Sequence, residues 1–212
     1  MDTDVLLIAD VFDQFRTSSI STDSLDPAWC FTIPGYTWEC MLKYTKCKLE
    51  LLQDVDKIMF VEQGIRGGVS VCSSRYSKAN NKYMFDYDPS KEDKYLLYLD
   101  VNNLYGTAMC ESLPYGGFEW VQDTDFDVLS ISDDSPVGYF LEVDLEYPER
   151  LHDLHKDFPF APEHRIPPQS KLPKLMTTLL NKEKYIVHYR NLKQMIRNGL
   201  VVSKIHKILQ FQ

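Results

Sequence analysis

The chain has few of the features that mark secreted, membrane or zinc-binding proteins. Its five cysteines form no C-x-x-C pair, and their odd number does not close a complete set of disulfides. No apolar run approaches the roughly 18 to 20 residues that span a bilayer. The first residues, Met1 to Asp4, carry acids where a secretory signal carries bases. We therefore expect an intracellular protein with reduced thiols, no zinc site and no membrane partner.

Internal repeats and low-complexity tracts are also missing, which excludes a solenoid and a disordered linker. What is present is a globular composition, with 212 residues of which 44% are hydrophobic. This length accommodates one well-packed core or parts of two domains.

The charge is distributed unevenly along the chain. The net charge of −8 argues against a general binder of polyanions. From Arg165 to Gln212, however, ten bases accompany one acid, Glu183, which gives +9 and leaves −17 for the first 164 residues. This asymmetry predicts that the C-terminal part meets phosphate directly, with a solvated helix face as the alternative.

One acid follows an aromatic-rich apolar run. The run from Tyr95 to Val101 is predicted to be a strand, and Asp100 lies at its end, ahead of a turn that carries Tyr105. An acid at such a place is a common way to hold a divalent metal beside a phosphate. The alternative is an aspartate that only caps the following turn.

The seven residues Asp100-Val-Asn-Asn-Leu-Tyr-Gly106 resemble the first palm motif of family B DNA polymerases, Asp-x-x-Ser-Leu-Tyr-Pro. The resemblance is closest to the protein-primed branch found in small phages, linear plasmids and the self-synthesising Maverick-Polinton transposons. Asn103 stands where the family usually has Ser, and Gly106 where it usually has Pro. Neither change removes a metal ligand.

The resemblance implies a role for each residue of this motif. Asp100 would bind two Mg²⁺ ions, or Mn²⁺ in their place, and the Val101 carbonyl would complete one coordination shell. Tyr105 would pack beneath the sugar of the incoming dNTP and reject a ribose 2′-OH. Asn103 and Leu104 would complete the nucleotide-binding segment.

Two earlier segments resemble the same polymerases. Asp4 to Asp10 is similar to the end of the third motif of the 3′-5′ exonuclease, and this implies that Asp4 binds catalytic metal. The turn Ile65-Arg66-Gly67-Gly68 is similar to the Tyr-x-Gly-Gly link between exonuclease and polymerase domains. Glycines there let backbone N–H groups approach template phosphates.

The segment from Lys182 to Leu192 is similar to an insertion of the transposon polymerases that is associated with the priming protein. We expect a helix from about Asn181 to Asn198 that ends at Gly199. The predicted DNA contacts of its polar side are Lys182, Lys184 and Arg190.

The expected fold class is α+β: the C-terminal helix of an RNase H-like exonuclease domain, then the first part of a polymerase palm, an antiparallel sheet with helices. The expected domains are the exonuclease end at 1–16, a connector at 17–92, the first palm part at 93–164 and the basic insertion at 165–212.

Local patterns predict further elements. Helices are expected at Asp4 to Phe15 and around Thr37 to Leu52, with a polar connector at Thr17 to Asp26. Strands are expected at Tyr139 to Tyr147 and at Val201 to Phe211. The acidic stretch from Asp123 to Ser135 is expected to be an exposed loop. The acids of the first strand lie on the face opposite its apolar residues, and they are either metal ligands or part of a solvated face. These acids are Glu142, Asp144 and Glu146.

The resemblance implies a DNA-directed DNA polymerase that adds dNTPs to a primer in DNA replication, with template-primer DNA and a terminal priming protein as partners. Its compartment is open: nucleus, organelle or viral factory. The chain contains no Lys-x-x-x-Asn-Ser-x-Tyr-Gly fingers motif and no second palm Asp, so we expect no primer extension by the chain alone.

Three other interpretations remain open. The chain is alternatively a non-catalytic module that binds DNA or a priming protein through its basic insertion. A metal-dependent nuclease would use Asp4, Asp10 and Asp100. His152 and His155, which flank Asp153, suggest either a metal pair or structural histidines.

Overall fold

The computed structural model describes residues 2–122 and 126–212, and the chain divides into two compact units, Met1–Glu50 and Leu51–Gln212. The division lies inside the predicted connector 17–92. The described helices include none with the length and hydropathy that crossing a bilayer requires.

The first unit consists of helix α1 (Asp2–Asp23), a 3-10 turn (Pro27–Trp29) and helix α2 (Ile33–Thr45). The predicted helix is confirmed, but the connector from Thr17 to Asp26 was wrong over most of its length. No Gly or Pro interrupts α1 before Asp23, so the polar composition alone does not end it.

Helix α2 begins earlier than the pattern predicted because of its N-cap. The Thr32 hydroxyl accepts the Gly35 N–H at 3.1 Å, and Pro34 occupies the first turn. The helix ends at Thr45, so its predicted end near Leu52 was wrong, and Lys46 caps it with a left-handed φ of 56°. Tyr36 anchors it to α1 by donating its hydroxyl to the Asp23 carboxylate at 2.7 Å.

The second unit contains four helices and six strands among its described residues. The helices are α3 (Val55–Gly64), α4 (Leu104–Met109), α5 (His152–His155) and α6 (Tyr189–Arg197). The strands are β1 (Glu119–Val121), β2 (Gly138–Glu146), β3 (Glu163–Arg165), β4 (Lys174–Met176), β5 (Lys182–His188) and β6 (Val201–Phe211). Two further 3-10 turns lie at Val128–Ser130 and Glu149–Leu151.

The sheet is antiparallel with the strand order β1-β6-β2-β5, and β3 pairs with β4 separately. The coarse α+β class is therefore as expected. The predicted strands at Tyr139 and Val201 are both confirmed. Alternation along β2 buries Leu141, Val143 and Leu145 completely and turns the acids to the other face.

Two register shifts interrupt the β2–β6 pairing, between Glu142 and Val143 and between Asp144 and Leu145. Such bulges re-aim side chains on the bulged strand. Here the His206 Nε2 lies 2.8 Å from the Asp144 Oδ2, so one acid of the predicted polar face lies against the neighbouring strand.

Both faces of the sheet are partly covered. Helix α6 buries Tyr189, Leu192 and Met195 in the larger hydrophobic cluster, which also contains the apolar face of β2. Helix α3 covers the other face by packing Phe60 with Ile186 and Leu209. Burying one such side chain stabilises the fold by about 1.5–3 kcal/mol.

The predicted helix at 181–198 was wrong in its first half. Residues Lys182–His188 form β5, and the helix begins only at Tyr189. Ile186 packs with Phe60, whereas Tyr189 and Leu192 belong to the other cluster. A single helical stripe does not reach both faces of a sheet. Gly199, with φ +96°, follows the helix as predicted.

The predicted strand from Tyr95 to Val101 was also wrong. Within the described ranges these residues belong to no ladder, and the nearest pairing is the isolated bridge between Asn80 and Lys94. Their side chains are exposed, including Leu97 and Tyr98. A strand gains stability from its neighbours, so an apolar run without a partner does not form one.

The predicted acidic loop is only partly covered by the structure, because residues 123–125 lie outside the described ranges. Its remainder is not fully exposed. Val128 is buried, and Phe126 and Ile131 pack against the larger cluster.

Candidate functional site

Asp100 lies on an exposed, irregular segment directly before α4. Asn103 ends this segment with a left-handed backbone (φ 51°, ψ 50°), which Asn tolerates better than most residues. The Asn103 side chain then caps α4 by accepting the Gly106 N–H at 3.2 Å. The sequence thus places one carboxylate four residues before Leu104, the first residue of a capped helix.

The Asn103 cap explains why glycine occupies position 106. A Cβ on Gly106 would lie 2.3 Å from the Asn103 Nδ2 and 2.7 Å from its Oδ1. Proline at this position would lack the N–H that Asn103 accepts. The Asn103 cap therefore requires glycine at position 106, and the two residues together start α4.

The remaining motif residues face solvent. Val101, Leu104 and Tyr105 are all exposed, and Tyr105 is 85% exposed. An exposed tyrosine of this size is available to pack against a ligand. The segment is accessible, and no described side chain covers it.

Asp100 is the carboxylate that the motif places on this segment. Among residues 2–122 and 126–212, no three His, Cys, Asp or Glu side chains converge where they could hold a metal. Mg²⁺ is often bound by one or two carboxylates, waters and substrate phosphates. Binding of such an ion by Asp100 and the Val101 carbonyl stays a prediction from the resemblance. Asp4 and Asp10 lie on α1, in the other compact unit.

The glycine-rich turn is anchored through Arg66. Its Nη1 donates to the Ile186 carbonyl at 2.6 Å and to the Gly64 carbonyl at 3.2 Å, and its guanidinium lies 3.9 Å from the centroid of the Tyr185 ring. Burial lowers the pKa of Arg66 below its ordinary value. These contacts engage Arg66 with the outer edge of β5.

The rest of the turn is accessible. Ile65, Gly67 and Gly68 are exposed, and Gly68 has φ +77°. A Cβ added to Gly67 or Gly68 would meet no atom within 4 Å. Open space above two glycines leaves the backbone free to approach another molecule.

The three cations predicted on the basic insertion have different environments. Lys182 is only 2% exposed, and its ammonium donates to the Glu163 Oε1 at 2.7 Å and to the Thr178 hydroxyl at 2.6 Å. Arg190 donates from Nε to the Asp133 carbonyl at 2.8 Å. Lys184 is exposed and has a left-handed φ of 49°. The structure therefore does not bring the three cations together on one open face.

The two clustered histidines contact a common tyrosine. The Tyr147 hydroxyl lies 2.8 Å from the His155 Nδ1, and the His152 Nε2 lies 3.2 Å from the Tyr147 carbonyl. The surrounding residues form the 3-10 turn Glu149–Leu151 and helix α5. These contacts favour the structural interpretation of both histidines.

Sequence reasoning missed His188, which joins β5 to α6. Its Nδ1 accepts the Arg190 N–H at 3.3 Å and so caps the helix. Burial, and then the nearby Arg190 charge, lower the pKa of His188 to about 4. His188 also lines a cavity of about 490 Å³ together with Tyr115 and Phe211. The predicted helix at 181–198 ran through His188, so the sequence did not indicate that a strand and a helix meet at this residue.

Comparisons of the chain with protein-family models, curated proteins and solved structures find no match.

Proposed function

We propose that the chain is the central part of a protein-primed family B DNA polymerase, and that Asp100 is one of its catalytic metal ligands. The observation that carries this proposal is the arrangement of Asp100, the Asn103 cap and Tyr105. The segment presents one carboxylate and one aromatic ring to solvent on either side of a helix start. Asn and Ser are both favoured N-caps, so Asn103 serves the position where the motif usually has Ser.

The order of the segments along the chain and the fold class of the sheet also support the proposal. A glycine-rich turn with exposed backbone precedes the Asp100 segment. An antiparallel sheet with helices follows it, which is the class of architecture expected of a palm. The proposal includes two assignments: the first unit is the end of an exonuclease domain, and the sheet is part of a palm.

The chemistry would be nucleotidyl transfer: a primer 3′-OH loses its proton to solvent and attacks the α-phosphate of a dNTP, the bond between the α- and β-phosphates breaks, and pyrophosphate leaves. A divalent ion supplies charge stabilisation for the reacting oxygens when it is bound. Asp100 and the Val101 carbonyl would hold the ion, and Tyr105 would orient the sugar. A second carboxylate, supplied by a segment absent from these 212 residues, would complete the two-ion site.

Paramagnetic broadening by Mn²⁺ tests the metal-ligand role in this chain directly. We expect Mn²⁺ with dATP to broaden amide resonances from Asp100 to Tyr105, because the ion and the triphosphate bind there together. Asp100→Asn should remove this broadening. Asp157→Asn is the matched control, since Asp157 is also exposed and lies outside the motif. Broadening that is equal in wild type and Asp100→Asn would overturn the role of Asp100.

The alternative, a non-catalytic module that binds DNA or a priming protein through residues 165–212, has weaker support. Lys182 is buried in an ion pair, and Lys193 is buried with its ammonium donating to the Ile131 carbonyl at 2.5 Å. These contacts leave fewer cations on the surface than the composition of the segment implies.

A further inference from the structure

An acid-free stretch of this acidic chain includes the glycine-rich turn and ends before the Asp100 segment. Residues 63–85 contain no Asp or Glu, although the chain has 31 acids. The same residues contain four bases: Arg66, Arg75, Lys78 and Lys82. This stretch therefore carries a charge of +4 within a protein of net charge −8, although Arg66 contacts β5 and Lys78 is paired with Asp86.

Aromatic side chains are interleaved with these bases. Tyr76 is 80% exposed, Tyr83 is 78% exposed and Phe85 is fully exposed. Large rings that stand in water without burying their faces are costly for solubility, and their grouping marks an interaction surface. Arg75, Tyr76, Lys82, Tyr83 and Phe85 are defined here as the aromatic-basic strip.

The backbone beneath Tyr83 and Phe85 is held firmly. Asn80 donates from Nδ2 to the Asp88 carbonyl at 3.0 Å and accepts the Asp88 N–H at 2.9 Å. Asn81, which is buried, donates to the Lys94 carbonyl at 3.1 Å and accepts the Tyr83 N–H at 3.1 Å. The two asparagines close the loop at 80–94, so the exposed rings project from an ordered support.

The charges around the strip favour an anionic partner. Asp86 is paired with Lys78, and Asp88 lies 2.9 Å from Lys91, so these nearby acids are already neutralised. The Lys82 ammonium lies 5.2 Å from the centroid of the Tyr83 ring. This places a cation beside a ring face, and Arg75 is exposed next to Tyr76.

We propose that the aromatic-basic strip binds single-stranded nucleic acid, with bases stacked on Tyr83 and Phe85 and phosphates beside Lys82 and Arg75. Proteins that hold single strands without sequence preference combine aromatic platforms with nearby cations. The inference rests on the proposed function, for which it names the surface that holds an unpaired template strand. Its geometry does not involve Asp100 or a metal.

Fluorescence anisotropy with a labelled oligodeoxythymidine tests the proposal in EDTA, where no metal contributes. We expect the full chain to bind the single strand more tightly than the same strand annealed to oligodeoxyadenosine. The double substitution Tyr83→Ser, Phe85→Ser should weaken binding by roughly a hundredfold, since each of the two stacked bases contributes on the order of tenfold. Phe158→Ser is the matched control because Phe158 is 84% exposed and lies outside the strip.

Salt dependence separates the phosphate contacts from the stacking contacts. Each phosphate neutralised on a single strand adds about −0.7 to the slope of log affinity against log salt. Lys82→Gln and Arg75→Gln should each reduce the slope by about that amount, and the Tyr83→Ser, Phe85→Ser variant should leave it unchanged. Lys156→Gln, at another exposed lysine, is the control.

Because the assay contains EDTA, its result does not depend on metal binding at Asp100, and its failure is distinguishable from a failure of the Mn²⁺ experiment. The proposal is overturned if the full chain does not bind the single strand, or if Tyr83→Ser, Phe85→Ser binds as tightly as Phe158→Ser.

Discussion

The Asn103 side chain occupies the space that a Cβ on Gly106 would need, and it accepts the Gly106 N–H at 3.2 Å. The two positions where this chain departs from the polymerase motif are therefore in contact. A shorter Ser side chain would avoid the crowding, and its hydroxyl could cap the helix through the Tyr105 N–H, so a Pro at position 106 would not remove the donor. We therefore expect the energetic effects of Asn103 and Gly106 to depend on each other.

This coupling predicts a non-additive double-mutant cycle. Gly106→Pro alone should destabilise the start of α4 by about 1 kcal/mol, since the Asn103 cap loses its donor and its space. Asn103→Ser with Gly106→Pro should recover most of that loss. Amide hydrogen exchange of Thr107 and Ala108 measures the effect locally. Losses that simply add in the double variant would show that the two residues act separately.

His188 predicts a pH dependence of stability. Its pKa falls from 6.5 to about 4 on folding, so the unfolded chain binds more protons between these values. Stability is therefore fully present above about pH 6.5 and is lost as the pH falls towards 4. Allowing for its partial exposure, the loss attributable to His188 is on the order of 1–2 kcal/mol.

His188→Asn isolates this contribution because Asn also caps helices and does not titrate. Urea unfolding at pH 7 and pH 4.5 should show a smaller loss for this variant than for the wild type. The carboxylates contribute equally to both proteins. An identical loss in the two proteins would contradict the assignment to His188.

The buried ion pair between Lys182 and Glu163 predicts an asymmetry between its two partners. Burial lowers the pKa of Lys182, and would alone raise that of Glu163, but hydrogen bonds from Lys182 and Thr178 leave the Glu163 pKa below its usual value. Glu163→Gln leaves a buried ammonium without a counter-charge and should cost about 3 kcal/mol.

Lys182→Met should cost less, because the thioether suits the buried site and Glu163 keeps its contact with Arg165 at 3.1 Å. Chemical unfolding of both variants measures the difference. A larger loss for Lys182→Met than for Glu163→Gln would contradict the argument.

The chain alone should extend no primer, because one carboxylate does not hold two ions. A gel assay with labelled primer-template, dNTPs and Mg²⁺ or Mn²⁺ checks this expectation. Extension that disappears in Asp100→Asn would show that the chain contains a complete active site.

Part of the fold was predictable from local sequence. Strands β2 and β6 were predicted because apolar and polar residues alternate where the sheet has one buried face, as at Leu141, Val143 and Leu145. The start of α1 followed from helical spacing. In these elements the local pattern and the tertiary environment agree.

The remainder depended on partners that lie far away in the chain. Residues 182–188 were read as helix because Ile186, Tyr189 and Leu192 recur at helical spacing, yet Ile186 and the other two pack on different faces of the sheet. Lys182 was expected to face DNA, and its partner Glu163 lies 19 residues away. Local periodicity does not reveal a partner so far away in the sequence, so it does not predict that Lys182 is buried.

At the candidate site, Asp100 and Tyr105 were predicted from the motif, and the structure shows that both are exposed. Their roles stay predictions. The strand before them was not found in the structure, because ladder formation requires a neighbour that the apolar pattern does not specify. The aromatic-basic strip was visible in the sequence only as a polar segment, since exposure of its rings is a tertiary property.

The most direct test of the central claim is the sequence of the transcript across both ends of this reading frame, followed by primer extension by the complete product. The account predicts an in-frame Asp-x-Glu exonuclease motif upstream, and Lys-x-x-x-Asn-Ser-x-Tyr-Gly then Asp-Thr-Asp downstream. The complete product should extend a primer, Asp100→Asn should abolish extension and Asp157→Asn should retain it. Stop codons that close both ends without these motifs, or extension unaffected by Asp100→Asn, would contradict the account.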